Sequence, residues 1–186
     1  MVVTGNCLNA KNEKVVMVSG RQMQLIKQVG EYIVAAELCR RELIAASFSG
    51  NIPIFDILAI DTHEKMRTIQ VKTTTTNRGW NLKASDFLNI SKERHVQKIA
   101  GVKILQNTET IFCFVNLKSF GINDPNIERD EFYIIPGKDL QAIVYQKYAA
   151  YLEKKGGVRP KNPDSEHIKI KPVEISMFKE KWDCFL

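Results

Sequence analysis

The stretch IFDILAIDTHEKMRTIQVKTTTT, residues 54–76, decides the fold of this chain. Its first part, residues 54–61, is an apolar run that carries an acid. Its second part, residues 68–76, is rich in β-branched residues. Both compositions favour strands, and the short polar connection between them has a length typical of a hairpin. The stretch therefore predicts two neighbouring, paired strands.

Three polar residues stand inside these predicted strands. Asp56 interrupts the apolar run IFDILA, and a carboxylate buried there must be paired, hydrogen-bonded or metal-bound. On the second strand, the period of two puts Gln70 and Lys72 on one face and points Ile69 and Val71 into the core. Pairing of the two strands would place Asp56 beside Gln70 and Lys72.

A long helix is predicted before the hairpin, over residues 19–46. Ser19 and Gln22 form a capping-box pattern at its start, and apolar residues follow at helical spacing. Gly30 in a helix interior costs about 1 kcal/mol relative to alanine. It therefore indicates close backbone packing or the approach of a ligand.

Glu31 lies on this helix and could complete the polar group, but each member also has a structural interpretation. Glu31 could simply pair with Lys27, one helical turn earlier. Asp56 could cap a local turn. Lys72 could be a solvated lysine of an edge strand.

The rest of the chain adds strands and a second helix. We expect an insertion with a short helix at 84–104, buried strands at 110–118 and 131–136, an amphipathic helix at 139–155, and a strand followed by a terminal helix within 167–186. This order predicts an α/β fold with a mixed central β-sheet flanked by helices. The expected divisions are an N-terminal extension at 1–18, an α/β domain at 19–160, and a C-terminal segment at 161–186 that packs on the same domain.

Composition limits the classes of protein that fit. The chain has 186 residues, of which 44% are apolar and 26% charged, and a net charge of +6 that favours an anionic partner. No apolar run is long enough for a membrane helix, and the first residues lack a secretory signal pattern. The four cysteines are far apart, which argues against a zinc site. We therefore expect a cytoplasmic protein with reduced thiols and no membrane partner.

Glu31 in GEYIVAAEL, Asp56 in IFDILA and Gln70-Val71-Lys72 in IQVKT follow one another in a characteristic order. This order resembles the motif of the PD-(D/E)XK nuclease superfamily, which has the restriction-endonuclease-like fold. The resemblance covers roughly residues 20–136. Within the superfamily, the sequence looks like a member of a bacterial branch. Gln70 stands where the usual pattern has its second acid.

The resemblance implies a metal-dependent phosphodiester hydrolase, endonuclease-like, with Mg²⁺ or Mn²⁺ as cofactor and DNA rather than RNA as partner. Asp56 would be the main metal ligand, with Glu31, the Gln70 side-chain oxygen and the Val71 backbone carbonyl as further ligands. Lys72 would orient the attacking water and stabilise the charge that develops on the phosphate. Glu31, Asp56, Gln70 and Lys72 are thus the expected catalytic residues.

Gln70 keeps a second function open. Some members of the superfamily with this glutamine resemble active enzymes, and others bind without cutting. The alternative is therefore a catalytically weak or inactive nucleic-acid-binding or regulatory module on the same fold. A third hypothesis is a structural or interaction protein whose basic faces meet acidic proteins.

Further residues are candidates for nucleic-acid contact. Arg78 and Trp80 follow the second strand and could act by charge and by stacking, although Trp80 fits equally well beside the core. Lys92, Arg94 and Lys98 form a basic stretch that is either a solvated face or a phosphate-binding surface. Many proteins of this fold are dimers, so a homodimer stays open, although no heptad pattern predicts one.

Overall fold

The structure is a computed structural model that describes residues 19–48, 55–75, 77–105, 109–120 and 128–185. The predicted extension at 1–18 lies outside the described residues. The helices are α1 (Gly20–Cys39) and α2 (Gly137–Lys154). The strands are β1 (Ile44–Ser47), β2 (Ile57–Ile60), β3 (Met66–Thr74), β4 (Trp80–Lys83), β5 (Leu88–Glu93), β6 (Val96–Val102), β7 (Ile111–Asn116), β8 (Glu131–Pro136) and β9 (His167–Ile170).

Five strands form the central sheet in the order β1-β2-β3-β7-β8. The first three pair antiparallel, β3 and β7 pair parallel, and β7 and β8 pair antiparallel. The predicted hairpin is confirmed, because β2 and β3 are antiparallel neighbours with Ile57 opposite Ile69. The fold is therefore mixed α/β, with a mixed sheet flanked by helices, as the order of elements predicts.

Helix α1 begins as the sequence predicts. The Ser19 hydroxyl oxygen accepts from the Gln22 backbone N–H at 3.2 Å, and the Gln22 side chain accepts from the Ser19 N–H at 3.0 Å. The prediction that the helix runs to residue 46 is wrong, because it ends at Cys39 and residues 44–47 form the edge strand β1. Glu42, with φ of 66°, makes the turn between the two elements. Pairing with β2 thus overrides the helical preference of this segment.

Gly30 lies where α1 packs directly against β3. A Cβ atom at this position would lie 1.8 Å from the Thr73 side-chain oxygen of β3. A distance that short is a steric clash, so only glycine allows the helix to lie this close. Of the two predicted reasons for this glycine, the structure shows backbone packing.

Two apolar clusters cover the two faces of the sheet. On one face Val34 and Leu38 of α1 belong to the same cluster as Ile69 and Val71. On the other face Leu140, Val144 and Tyr148 of α2 cluster with residues of β7 and β8. The alternation predicted for β3 is confirmed, because Ile69 and Val71 are buried while Gln70 and Lys72 are only partly buried.

Two small sheets stand beside the central one. Strands β5 and β6 form a hairpin over 88–102, so the predicted insertion with a short helix is a β-hairpin preceded by one 3-10 turn at 84–86. Strand β9 pairs antiparallel with β4, and the chain ends in 3-10 helices, the last of which buries Trp182 and Phe185.

The two helices α1 and α2 do not meet the length and apolarity that a membrane-spanning helix needs, and the described ranges hold no other helix that does.

Candidate functional site

Asp56 is fixed against strand β3 by its side chain. The residue lies one position before β2, not in the middle of a strand as predicted, and its backbone N–H donates to the Ile69 carbonyl oxygen at 2.8 Å. One carboxylate oxygen, Oδ2, accepts from the backbone N–H of Val71 at 2.8 Å. The carboxylate is thereby held beside the backbone between Gln70 and Lys72. The predicted association of Asp56 with this segment is present in the structure.

Lys27 of α1 bridges the two acids of the site. Its ammonium lies 3.5 Å from Oδ1 of Asp56 and 3.4 Å from Oε1 of Glu31. The lysine side chain is 53% exposed, whereas those of Glu31 and Asp56 are only 13% and 15% exposed. Glu31 therefore pairs with Lys27, as its spacing predicts, and the same ammonium joins it to Asp56.

Glu31 and Asp56, which share the Lys27 ammonium, also interact electrostatically. Burial and the negative charge of Asp56 raise the pKa of the Glu31 carboxyl above its ordinary value, against the lowering effect of Lys27 and Lys72. Burial alone would lower the pKa of Lys27, but the charges of Asp56 and Glu31 outweigh it and raise that pKa. The site is thus a pair of interacting carboxylates neutralised in part by ammonium groups.

Gln70 and Lys72 lie on the face of β3 opposite to Val71. In the parallel register Gln70 stands beside Phe112 of β7, and Lys72 beside Phe114. The charge of Lys72 still reaches the Glu31 carboxyl. The structure therefore brings Glu31, Asp56 and Lys72 within electrostatic range, with Gln70 adjacent along the strand.

The Glu31 and Asp56 carboxylates supply oxygen donors of the kind that hard divalent cations prefer. In the structure the Lys27 ammonium lies between one oxygen of each carboxylate, at distances typical of an ion pair. Oxygen ligands of this kind suit Mg²⁺ or Mn²⁺. Within the described ranges, groups of three or more His, Cys, Asp or Glu that could hold a metal are absent. Glu31 and Asp56 are the two acidic side chains that the described residues bring together here.

Sequence reasoning missed Lys27 as a member of the site. Its spacing of four residues from Glu31 indicated one of its two contacts, but the contact with Asp56 crosses from helix to sheet. For the contact with Asp56, the sequence signal was indirect. The apolar stripe through Ile26, Gly30 and Val34 packs on the sheet, and Lys27 and Glu31 both lie beside that stripe.

Trp80 belongs to the core, which corrects its interpretation as a stacking residue. Its side chain is 3% exposed, and its indole N–H donates to the Val115 carbonyl oxygen at 3.0 Å. The ring packs edge-on against Phe114 and Tyr133. A ring buried in this way offers no face to a base. Arg78, in the turn before it, is exposed.

The predicted basic stretch lies on the β5–β6 hairpin, which packs against α2 and so stands away from α1 and Glu31. Lys92 forms an ion pair with Glu166 at 2.6 Å and donates to the Asp164 carbonyl oxygen at 2.9 Å. Arg94, at the hairpin tip, and Lys98 are exposed. Lys92 is therefore committed to a contact within the protein, whereas Arg94 and Lys98 face solvent.

A second charged cluster lies where β7 ends and β8 begins. The Glu131 carboxylate accepts from Lys179 at 2.7 Å and from the Asn116 amide at 2.8 Å, and lies 3.1 Å from the Lys118 ammonium. Partial burial would raise the pKa of Glu131, but these donors outweigh it and lower the pKa to about 2. The cluster joins the C-terminal segment to the sheet.

Comparison with known proteins gives little further information. No known protein family matches the chain, and no curated protein sequence matches it. Among solved structures, the chain is similar to a bacterial homing endonuclease, I-Ssp6803I, with a TM-score of 0.42 and 10% sequence identity. The match covers 88% of this chain and 92% of the endonuclease. A likeness at this level carries no inference about activity.

Proposed function

We propose that this protein is a metal-dependent nucleic-acid phosphodiesterase of the PD-(D/E)XK type that cuts DNA. The observation that supports this proposal is the position of the Asp56 carboxylate. It is bound to the backbone N–H of Val71, between Gln70 and Lys72, and it is electrostatically coupled to Glu31. Apart from Gln70, which stands in place of the second acid, these residues follow the type and chain order of the sequence motif.

Asp56 and Glu31 would hold Mg²⁺ or Mn²⁺, with the Gln70 side-chain oxygen and the Val71 carbonyl oxygen as neutral ligands. When bound, the cation would offset the charge of the phosphate oxygens and lower the pKa of a water molecule. Lys72 would orient that water and stabilise charge on the phosphate. With only two acids, the ligand set predicts weak metal binding, on the order of millimolar.

A catalytically inactive nucleic-acid-binding module is the second candidate. Gln70 contributes no charge to the site, and Lys27 already pairs with both Glu31 and Asp56. Both features reduce the attraction for a divalent cation. The net charge of +6 would serve either function, because a basic surface attracts nucleic acid whether or not the protein cuts it.

A cleavage assay separates the two candidates. Plasmid DNA, single-stranded DNA and RNA are incubated with the protein in Mg²⁺, in Mn²⁺ and in EDTA. Asp56→Asn is the test variant, because it removes the charge and keeps a side chain that can accept from Val71. Asp139→Asn, at an exposed position in the first turn of α2, is the matched control for the loss of one carboxylate.

The nuclease proposal expects cleavage of DNA that requires metal, survives in Asp139→Asn and disappears in Asp56→Asn. Metal-independent binding of DNA without cleavage would favour the inactive module. Cleavage that persists in Asp56→Asn would mean that the activity does not come from this site.

A further inference from the structure

Lys27 occupies an unusual position for a half-exposed lysine. Its ammonium contacts an oxygen of Glu31 at 3.4 Å and an oxygen of Asp56 at 3.5 Å. This ammonium lies between two acids whose side chains are mostly, though not fully, buried.

The three side chains differ in their freedom to move. Asp56 is held by the Val71 backbone N–H at 2.8 Å, and Glu31 follows Gly30, which is packed directly against β3. Lys27 has a long flexible stem and a side chain that is 53% exposed. The lysine can therefore leave the carboxylates by rotating into solvent, whereas the carboxylates stay in place.

Two interacting carboxylates need a counter-charge, and in the structure the Lys27 ammonium supplies it by contacting one oxygen of each. An ammonium supplies one positive charge and a divalent metal supplies two. The two cations repel each other and require the same oxygens, so a metal can bind only when the ammonium withdraws.

We propose that Lys27 is a built-in competitor for the metal, whose ammonium takes the place of the divalent cation between Asp56 and Glu31 and is displaced when the cation binds. This inference rests on the proposed function. It adds that the low metal affinity of the site has a cause outside the ligand set, namely a lysine that stabilises the metal-free protein.

The test is calorimetric titration of the full chain with Mn²⁺ in the absence of nucleic acid. Lys27→Met keeps the apolar stem and removes the charge. It should bind Mn²⁺ about five- to tenfold more tightly than wild type, because the metal no longer displaces an ion pair. Lys147→Met is the matched control, since Lys147 pairs with Glu174 on the other side of the molecule, and its affinity should equal that of wild type.

Thermal melting gives a second readout that does not depend on activity. Without metal, Lys27→Met should melt at a lower temperature than wild type, because two neighbouring carboxylates lose their counter-charge. Mn²⁺ should then raise its melting temperature by more than it raises that of wild type. If Lys27→Met folds only with Mn²⁺, the metal has replaced the lysine, as the inference expects.

Lys27→Arg keeps the charge and should bind Mn²⁺ no more tightly than wild type. The inference is overturned if Lys27→Met binds Mn²⁺ as weakly as wild type, or if Lys27→Arg binds it more tightly. A failure of the proposed function has a different signature: Mn²⁺ binding that is absent, or that is unchanged by Asp56→Asn, in wild type and Lys27→Met alike.

Discussion

Replacing Gly30 by alanine sets two physical effects of opposite sign against each other. Alanine is favoured over glycine in a helix interior by about 1 kcal/mol. At this position, however, the added methyl carbon would lie 1.8 Å from the Thr73 side-chain oxygen and 2.9 Å from its Cβ and Cγ2 atoms. Overpacking of this kind costs about 1–3 kcal/mol, and so close an approach to a strand of the sheet belongs at the upper end.

The net expectation is a loss of about 2 kcal/mol in the free energy of unfolding. For a protein of this size, that corresponds to a melting temperature lowered by about 4–8 °C. Because Glu31 is the next residue, the same displacement of α1 should move its carboxylate away from Asp56 and weaken Mn²⁺ binding. Thermal unfolding followed by circular dichroism, with Mn²⁺ titration, measures both effects.

Gly20 provides the matched control on the same helix. A Cβ atom there would meet nothing within 4 Å, so Gly20→Ala should leave the melting temperature unchanged or raise it slightly. Adding Thr73→Ala to Gly30→Ala should recover part of the lost stability, because it removes the closest atom. A Gly30→Ala protein as stable as Gly20→Ala would refute the steric argument.

Other perturbations test the site and its surroundings. Gln70→Glu should tighten Mg²⁺ binding and destabilise the metal-free fold, and calorimetry that finds affinity unchanged would remove Gln70 from the ligand set. Lys72→Ala should abolish cleavage while sparing metal affinity, since its role lies in the transition state; equal losses of both would contradict that role. Glu131 has a pKa lowered from 4.5 to about 2, so its contribution to stability is present above pH 4.5 and is lost as the pH falls toward 2. The melting temperature of Glu131→Gln should therefore fall less than that of wild type as the pH is lowered. Identical pH profiles for the two proteins would exclude this contribution of Glu131. DNA binding should weaken with salt, and Lys98→Ala should lower the slope of log affinity against log salt by about 1, whereas Lys92→Ala should lower it less because Lys92 is already paired with Glu166. Binding titrations over a range of salt concentrations measure these slopes. Equal slopes for Lys98→Ala and Lys92→Ala would contradict the predicted difference between the two lysines.

The sequence predicted those parts of the fold that have a strong local period. Strands β3, β7 and β8 are clear from β-branched and aromatic runs, and the alternation in IQVKT correctly separated Ile69 and Val71 from Gln70 and Lys72. The predicted helix end was wrong because no glycine marks it. Glu42 makes the turn in a conformation that favours glycine, and the following IAAS segment has no strong strand signal.

The β5–β6 hairpin was missed for a similar reason. Its two-residue turn is Arg94-His95, with φ angles of 47° and 69°, whereas asparagine and glycine are the usual signal for such a turn. The contact between Lys27 and Asp56 could not be predicted either. It joins a helix to a residue beside the sheet, and no local spacing encodes a contact of that kind.

The pairing of β3 with β7 also determines how the chain reaches its folded state. Ile69 pairs with Ile111, and β4 pairs with β9, with Trp80 opposite Ile170 near the end of the chain. Closing such long loops before their contacts form costs entropy, which slows folding. During synthesis, the β2–β3 hairpin can form early, but one edge of β3 must wait for β7, and Trp80 must wait for β9. The strand that carries Gln70 and Lys72 therefore has one unpaired edge for part of the life of every new chain, and we expect chaperones to matter most at that stage.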